Sequence, residues 1–300
     1  MSVDNKLMFM YSVEPVHAGA QKGTGFIDNP IQRESHTHIP MLRGRGVKSA
    51  LRDVAEQKSI ADIDKLFGKK DAPDTAACMR VSDARLLLMP MPSIKNLYAY
   101  VTCPYLLQRF LRDSSLTSFT TETLANIELK DNEFYGGDNL TIDEKKSKII
   151  LREHVFTKKT DETIKNNLST IITKIQTAIM RKVGDFWEKK IATDVVVLSD
   201  TAFQELVTLY THVGEGIKID PDTNTVSDKA MYNTEYLPAD ALLYTIISAD
   251  AEFSTSPIYK DGNASMTQFA TILPASKTNY IQIGGDYTLY RGDMIAVLQP

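Results

Sequence analysis

The stretch "GRGVKSALRDVAEQKS", Gly44 to Ser59, limits the fold more than any other. Val47, Ala50, Leu51, Val54 and Ala55 fall at i, i+3, i+4, i+7 and i+8, which predicts a helix from near Gly46 with one apolar stripe. Such a stripe must be covered by another layer, and the flanking segments read as strands. "KLMFMYSV" (Lys6 to Val13) predicts a short buried strand. "MRVSDARLLLMPMP" predicts a strand ended by Pro90 and Pro92. "LYAYVTCPYLLQRFLRD" reads as a strand, a proline break and a helix, and "SIADIDKLFG" as a short helix capped by Ser59 and stopped by Gly68. Strand, helix, strand, strand, helix is half of a split βαβ pattern. "YIQIGGDYTLYRGDMIAVLQ" offers two more strands around Gly284 and Gly285. The predicted class is α+β.

From Ser114 to Lys190 the character changes. Thr, Asn, Lys and Glu dominate, with "YGGDN" and "LTIDEKKS" as turn signals. Ile164, Leu168, Ile171, Ile172, Ile175 and Ile179 stand at helical spacing, so this segment reads as an inserted, mostly helical subdomain. "VVVLSD" then reads as a strand, with Ser199 or Asp200 capping the helix of "TAFQELVTLYTHV". "GIKIDPDTNTVSDKAMYNTEYLP" holds two strand-like runs about a polar turn, which predicts a hairpin. The chain has 300 residues, 43% of them apolar and 24% charged, as expected of a core domain with insertions or of two domains. It shows no secretory signal and no apolar run of membrane-spanning length; Cys78 and Cys103 form no CxxC. The expectation is a cytoplasmic protein that contacts no membrane.

The formal charge is −4, but it is uneven. Between His17 and Arg52, Lys22, Arg33, Arg43, Arg45, Lys48 and Arg52 face only Asp28 and Glu34, so this segment carries +4 and the remainder −8. A basic patch on an acidic body suits a polyanion bound at one surface. The loop "HAGAQKGTGFIDNPIQRESHTHIP", His17 to Pro40, concentrates the groups able to do chemistry. "GAQKGTG" lacks the ending of a Walker A loop and "GRGVKS" has the wrong glycine spacing, so NTP hydrolysis by a P-loop is disfavoured. The start of the Val47 helix, with Arg43, Arg45 and Lys48, reads equally as a polyanion site or as a solvated basic turn. His36 and His38 would share a face in a strand and could meet a metal, or they are polar loop residues. Asp28 is either an Asx-turn residue before Asn29-Pro30 or a carboxylate held beside basic groups to bind a divalent ion or orient a nucleophile.

"GFIDNPIQRESHTHIPMLRGRGVKSALRD" resembles the signature of the backbone RAMP subunit of type III-B (Cmr) CRISPR effector complexes: an Asp, then PIQRE, then HT, then a turn into LKGALRD. "VSDARLLLMPMPS", "YVTCPYLLQRF", "GIKIDPDTNTVSDKAMYNTEYLPADALLY" and "IQIGGDYTLYRG" resemble its further segments. The resemblance implies an RRM-like (ferredoxin-like) palm of residues 1–113 and 241–300, with a catalytic loop at 17–40. It further implies an insert at 114–190 and a helix plus β-hairpin thumb at 191–240. Such subunits serve antiviral defence. They form a filament along a CRISPR guide RNA with copies of themselves and other RAMP subunits, and cut complementary target RNA at regular intervals. A divalent metal ion, Mg²⁺ or Mn²⁺, is expected for cleavage.

Carried onto this chain, the resemblance makes Asp28 the catalytic residue and a possible metal ligand. Lys48, Arg45, Arg52, Ser49 and Arg33 become RNA contacts, with Gly284 and Gly285 allowing close approach. Met231 is either a wedge between bases or part of the thumb's base, and Glu235 is a possible accessory carboxylate. Arg43, Arg45, Ser49, Glu215 and Tyr290 depart from the family's usual residues. Two rival expectations remain: a backbone subunit that does not cut, and a free-standing metal hydrolase built on His36 and His38.

Overall fold

A computed structural model describes residues 3–21, 26–70, 76–119, 123–219 and 226–300. The strands are β1 (Asp4–Ser12), β2 (Met41–Leu42), β3 (Met79–Val81), β4 (Ala84–Pro92), β5 (Tyr98–Thr102), β6 (Glu133–Gly136), β7 (Lys148–Leu151), β8 (His154–Lys158), β9 (Val195–Leu198), β10 (His212–Ile219), β11 (Val226–Tyr236), β12 (Leu242–Ala249), β13 (Asn279–Gln282) and β14 (Asp293–Leu298). The helices are α1 (Gly44–Gln57), α2 (Ile63–Phe67), α3 (Pro104–Ser114), α4 (Glu162–Ile175), α5 (Arg181–Val183), α6 (Asp185–Thr193), α7 (Asp200–Leu209) and α8 (Gly262–Ala270). One mixed sheet runs in the order β13-β14-β1-β12-β4-β5-β9-β6-β8-β7, with β2 on β4 and β3 on β12. The hairpin β10-β11 stands apart from it.

Alternation along β1 sends side chains both ways. Met8 and Met10 join a core with Val47, Leu51 and Val54 of α1 and Phe269 of α8. Leu7, Phe9 and Tyr11 join a second core with Phe110 of α3 and Leu168 and Ile171 of α4. The α1 stripe is therefore the one predicted. No side chain caps this helix; its first N–H, from Gly44, donates to Asp83 Oδ1 at 2.7 Å. A cap contributes about 1 kcal/mol, whereas each buried Leu or Val contributes about 1.5–3 kcal/mol. Packing, not capping, holds α1 in place.

Three expectations need correction. Pro90 does not end β4, which runs on to Pro92 and pairs with β5 through Met89↔Val101 to Pro92↔Tyr98. The strand changes partners midway, from β12 to β5, and past Met89 its other side has no continuous ladder. There the Pro92 carbonyl accepts from Arg152 N at 3.0 Å, so prolines at alternate positions cost no ladder hydrogen bond. Ser59 does not cap α2. It takes a left-handed φ of 51° just after α1, and Asp62 occupies the N-cap position. Residues 114–190 are mixed rather than mostly helical: β6, β7 and β8 extend the main sheet through β9, while α4 covers it. The predicted hairpin is present, with its Asp220–Asn224 turn outside the described residues. β12, which sequence reasoning left unassigned in "ALLYTIISA", is the partner of both β1 and β4.

Candidate active site

The loop reaches the hairpin in two passes. After β1, Val16 and Leu237 exchange both backbone hydrogen bonds, at 2.8 and 2.9 Å. The chain returns at Asn29, whose N–H donates to the Asn233 carbonyl (3.1 Å) and whose carbonyl accepts from Glu235 N (3.0 Å). Residue 28 is thereby laid against β11.

Asn233 clamps it. The Asp28 N–H donates to Asn233 Oδ1 at 2.7 Å, and the Asn233 N–H donates to Asp28 Oδ2 at 2.9 Å. Asn233 Nδ2 also donates to the Phe26 carbonyl at 2.9 Å. Asp28 is exposed, and its Oδ1 has no protein partner among the described residues. The carboxylate is thus fixed through one oxygen and open through the other. Sequence reasoning missed Asn233. The signal was in "YNTEY", where alternation puts Met231, Asn233 and Glu235 on one face of the strand.

Glu235 lies close by but does different work. It is buried at 2% exposure; Oε1 accepts from Arg33 Nη2 (2.6 Å) and Thr211 Oγ1 (2.7 Å), and Oε2 from Ile31 N (3.0 Å). Arg33 also donates to the carbonyls of His38 and Val207. With these donors Arg33 braces the loop against α7 and β11. The rest of PIQRE is also scaffold. Gln32 spans the Gly19 carbonyl and the Arg43 N–H, and buried Glu34 pairs with Arg109 at 2.5 Å.

The proposed RNA contacts divide in the same way. Lys48 donates to the Met79 carbonyl at 2.8 Å; burial, and then the charge of Arg52, hold its ammonium below the usual lysine range. Arg52 is committed to Glu56, Asp64 and the Gly68 carbonyl. Arg45, Ser49 and Arg43 remain exposed at the start of α1. The anion expected there is in part the protein's own: Asp83 takes the leading N–H, as a carboxylate at a helix N-terminus should. Gly284 and Gly285 serve the protein's backbone. Gly284 has φ +89°, a Cβ there would overlap the His17 carbonyl, and Gly285 N donates to that same oxygen at 3.0 Å. Gly284→Ala is expected to destabilise the chain by about 1–3 kcal/mol, read as a lower thermal midpoint.

His36 and His38 do not share a strand face. They sit in a turn, His36 is 3.4 Å from the Tyr105 hydroxyl, and His38 takes φ 58°. Among the described residues no group of three His, Cys, Asp or Glu is placed to hold a metal ion. The free oxygen of Asp28 does suit a hard cation that draws its other ligands from RNA phosphates and water, the usual arrangement for Mg²⁺. No helix among the described residues is long and apolar enough to cross a membrane.

The architecture has counterparts. The RAMP superfamily model matches residues 10–289. The CRISPR system Cmr endoribonuclease Cmr4 of Pyrococcus furiosus is 32% identical over 95% of this chain and 92% of its own length. The crystal structure of oligomeric Cmr4 from Pyrococcus furiosus superposes with a TM-score of 0.73, at 28% identity over 99% of this chain and 98% of that one. A chain of the type III-B Cmr-beta complex bound to cognate target RNA shares the fold, with a TM-score of 0.69 at 18% identity over 98% and 96% of the two chains. The chain belongs to the RAMP superfamily and, within it, to the Cmr4 family.

Proposed function

We propose that this chain is the RNA-cutting backbone subunit of a type III-B CRISPR effector complex. It is an endoribonuclease that holds guide RNA and cleaves complementary target RNA at regular intervals. Copies of it stack along the guide beside other RAMP subunits, a reading supported by the oligomeric relative. The sheet acts as an RRM-like palm (1–113 and 241–300), residues 114–190 as an insert, and 191–240 as a helix and hairpin thumb. The observation that carries the reading is the clamp on Asp28, which leaves one carboxylate oxygen open at the thumb's base.

Ile217 and Met231 oppose each other on the face that holds Asn233, and both are exposed, at 51% and 70%. Apolar side chains in that position separate stacked bases and kink the strand. The kink turns one ribose so that its 2′-hydroxyl lines up with its own 3′-phosphate. Asp28 Oδ1 accepts the 2′-hydroxyl proton as the oxygen bonds to phosphorus. The bond to the next nucleotide's 5′-oxygen breaks, and that oxygen gains a proton from water. The products are a 2′,3′-cyclic phosphate and a free 5′-hydroxyl. Asp28 would hold a divalent ion, whose chemistry is to neutralise charge building on the phosphate. Glu235 and Arg33 keep the loop in register for this step. Base pairing reads the target, while Arg45, Arg43 and Ser49 contact backbone.

Cleavage of a labelled complementary RNA by the assembled complex tests the reading. Evenly spaced products with cyclic phosphate ends are expected; 3′-hydroxyl ends or irregular spacing would overturn it. Arg45→Ala is expected to weaken guide binding and lower the slope of log affinity against log salt by about 0.7–0.9. Titrations at several salt concentrations read that slope directly.

A further inference from the structure

We propose that Tyr210 is a positioning residue for cleavage: the β7–β8 turn of the insert grips its ring and hydroxyl, and through α7 that grip places the loop that carries Asp28. This rests on the reading of the chain as the target-cutting subunit and gives the insert a part in the cut.

Tyr210 ends α7 and is half-buried. The Arg152 guanidinium stacks over its ring, 4.8 Å from the ring centre, and the His154 ring meets it edge-on at 6.4 Å. Its hydroxyl donates to Glu153 Oε1. Arg152 and Glu153 form the two-residue turn between Leu151 and His154, the last pair of the β7–β8 ladder. Arg152 holds φ +55°, a left-handed conformation uncommon outside glycine, and its N–H donates to the Pro92 carbonyl at 3.0 Å. Such outliers cluster at clamps and active sites. Here the turn aims a cation and an acid at one tyrosine.

α7 links this turn to the Asp28 loop. Gln204 Nε2 donates to the Thr37 carbonyl at 2.7 Å, the Val207 carbonyl accepts from Arg33 Nη1 at 3.2 Å, and Thr211, next to Tyr210, donates to Glu235 Oε1 at 2.7 Å. Glu235 in turn holds the Ile31 N–H, just beyond Asp28. The insert also holds the other end of the helix, where the N-cap Ser199 donates to Asp131 Oδ1 at 2.7 Å. Between the two ends lies a cavity of about 70 Å³, lined by Asp131, His154, Phe156, Thr201, Glu205 and Leu206. Apolar packing therefore leaves α7 room to shift, and the polar grips at its ends remove that freedom. A reacting carboxylate misplaced by about 1 Å loses about 10²-fold in rate, so a small freedom in α7 is enough to matter.

The test measures single-turnover cleavage per assembled complex at saturating target RNA, beside guide affinity and the thermal midpoint. Tyr210→Ala is expected to cut about 10- to 100-fold more slowly, the scale of a misplacement up to about 1 Å, with guide affinity unchanged. Glu153→Ala and Tyr210→Phe each remove the hydroxyl's bond and should lose a similar, smaller part of the rate. Glu153→Gln keeps an acceptor and should recover what Glu153→Ala loses. The double variant Glu153→Ala, Tyr210→Phe should be no slower than either alone. A Tyr210 that only stabilises the fold would lower the thermal midpoint or the yield of complex and leave the rate per complex unaltered. That result would overturn the proposal, as would losses that add in the double variant. Where Tyr210→Ala does not assemble, the Glu153 variants decide. If Asp28→Asn stops cutting while Tyr210→Ala does not slow it, only the brace fails. If Asp28→Asn cuts at full rate, the reading on which the proposal rests fails.

Discussion

Asp28→Asn is expected to lower target cleavage by about 10²–10⁴-fold, the range for losing a positioned proton acceptor, with guide retention and assembly unchanged. The substitution is close to isosteric. An asparagine keeps its backbone N–H on Asn233 Oδ1 and an oxygen for the Asn233 N–H, so the loop keeps its place. What changes is the open oxygen, which becomes an amide NH2 that can neither accept the proton nor ligate a cation. Asn233→Ala provides the complement: the carboxylate remains but loses its side-chain clamp and the tie to the Phe26 carbonyl. Its cleavage should fall by about 10²-fold, the scale set by a misplacement near 1 Å. Measured single-turnover rates in assembled complexes decide the matter. Full activity in Asp28→Asn would remove the carboxylate from the chemistry and leave a backbone subunit that does not cut.

The largest effect on stability is expected from Glu235→Ala. It strands the Arg33 guanidinium, leaves the Ile31 N–H without its acceptor and releases Thr211. Breaking a buried pair from one side costs about 3–5 kcal/mol. Denaturant unfolding should show that loss. The combined Arg33→Ala, Glu235→Ala variant should lose less than the two single variants together, because the second removal no longer strands a charge. Additive losses would mean the pair does not act as a unit.

How much of this was legible in the sequence depends on the kind of signal. The α1 stripe and β1 could be read because burial imposes a period on local sequence. The hairpin could be read from its turn residues. β12 escaped because a strand buried on both faces shows no alternation. The strands of 114–190 escaped because they are short and polar-flanked, and β6 joins them to the main sheet through a β9 far off in sequence. Asp28 was nameable only through its likeness to a family motif; nothing local separates it from a turn residue. Its fixing depends on Asn233, some two hundred positions away, and no spacing rule reaches that far. The partners of Arg33, Lys48 and Arg52 were illegible for a related reason. Sequence shows a charge, whereas the fold decides whether a carboxylate or carbonyl already occupies it. Arg45, which has no such partner among the described residues, is a residue for which charge and availability agree.

The attachment of Asp28 to β11 has a metric consequence. Met231 and Asn233 are two positions apart on one strand, about 6.6–6.8 Å. On the proposed reading, with Met231 as the wedge and Asp28 as the cutting group, the two belong to a single rigid ruler. Where the phosphodiester breaks is measured from where the strand is pried open, whatever the letters of the message, so the same offset should recur at each copy along the guide.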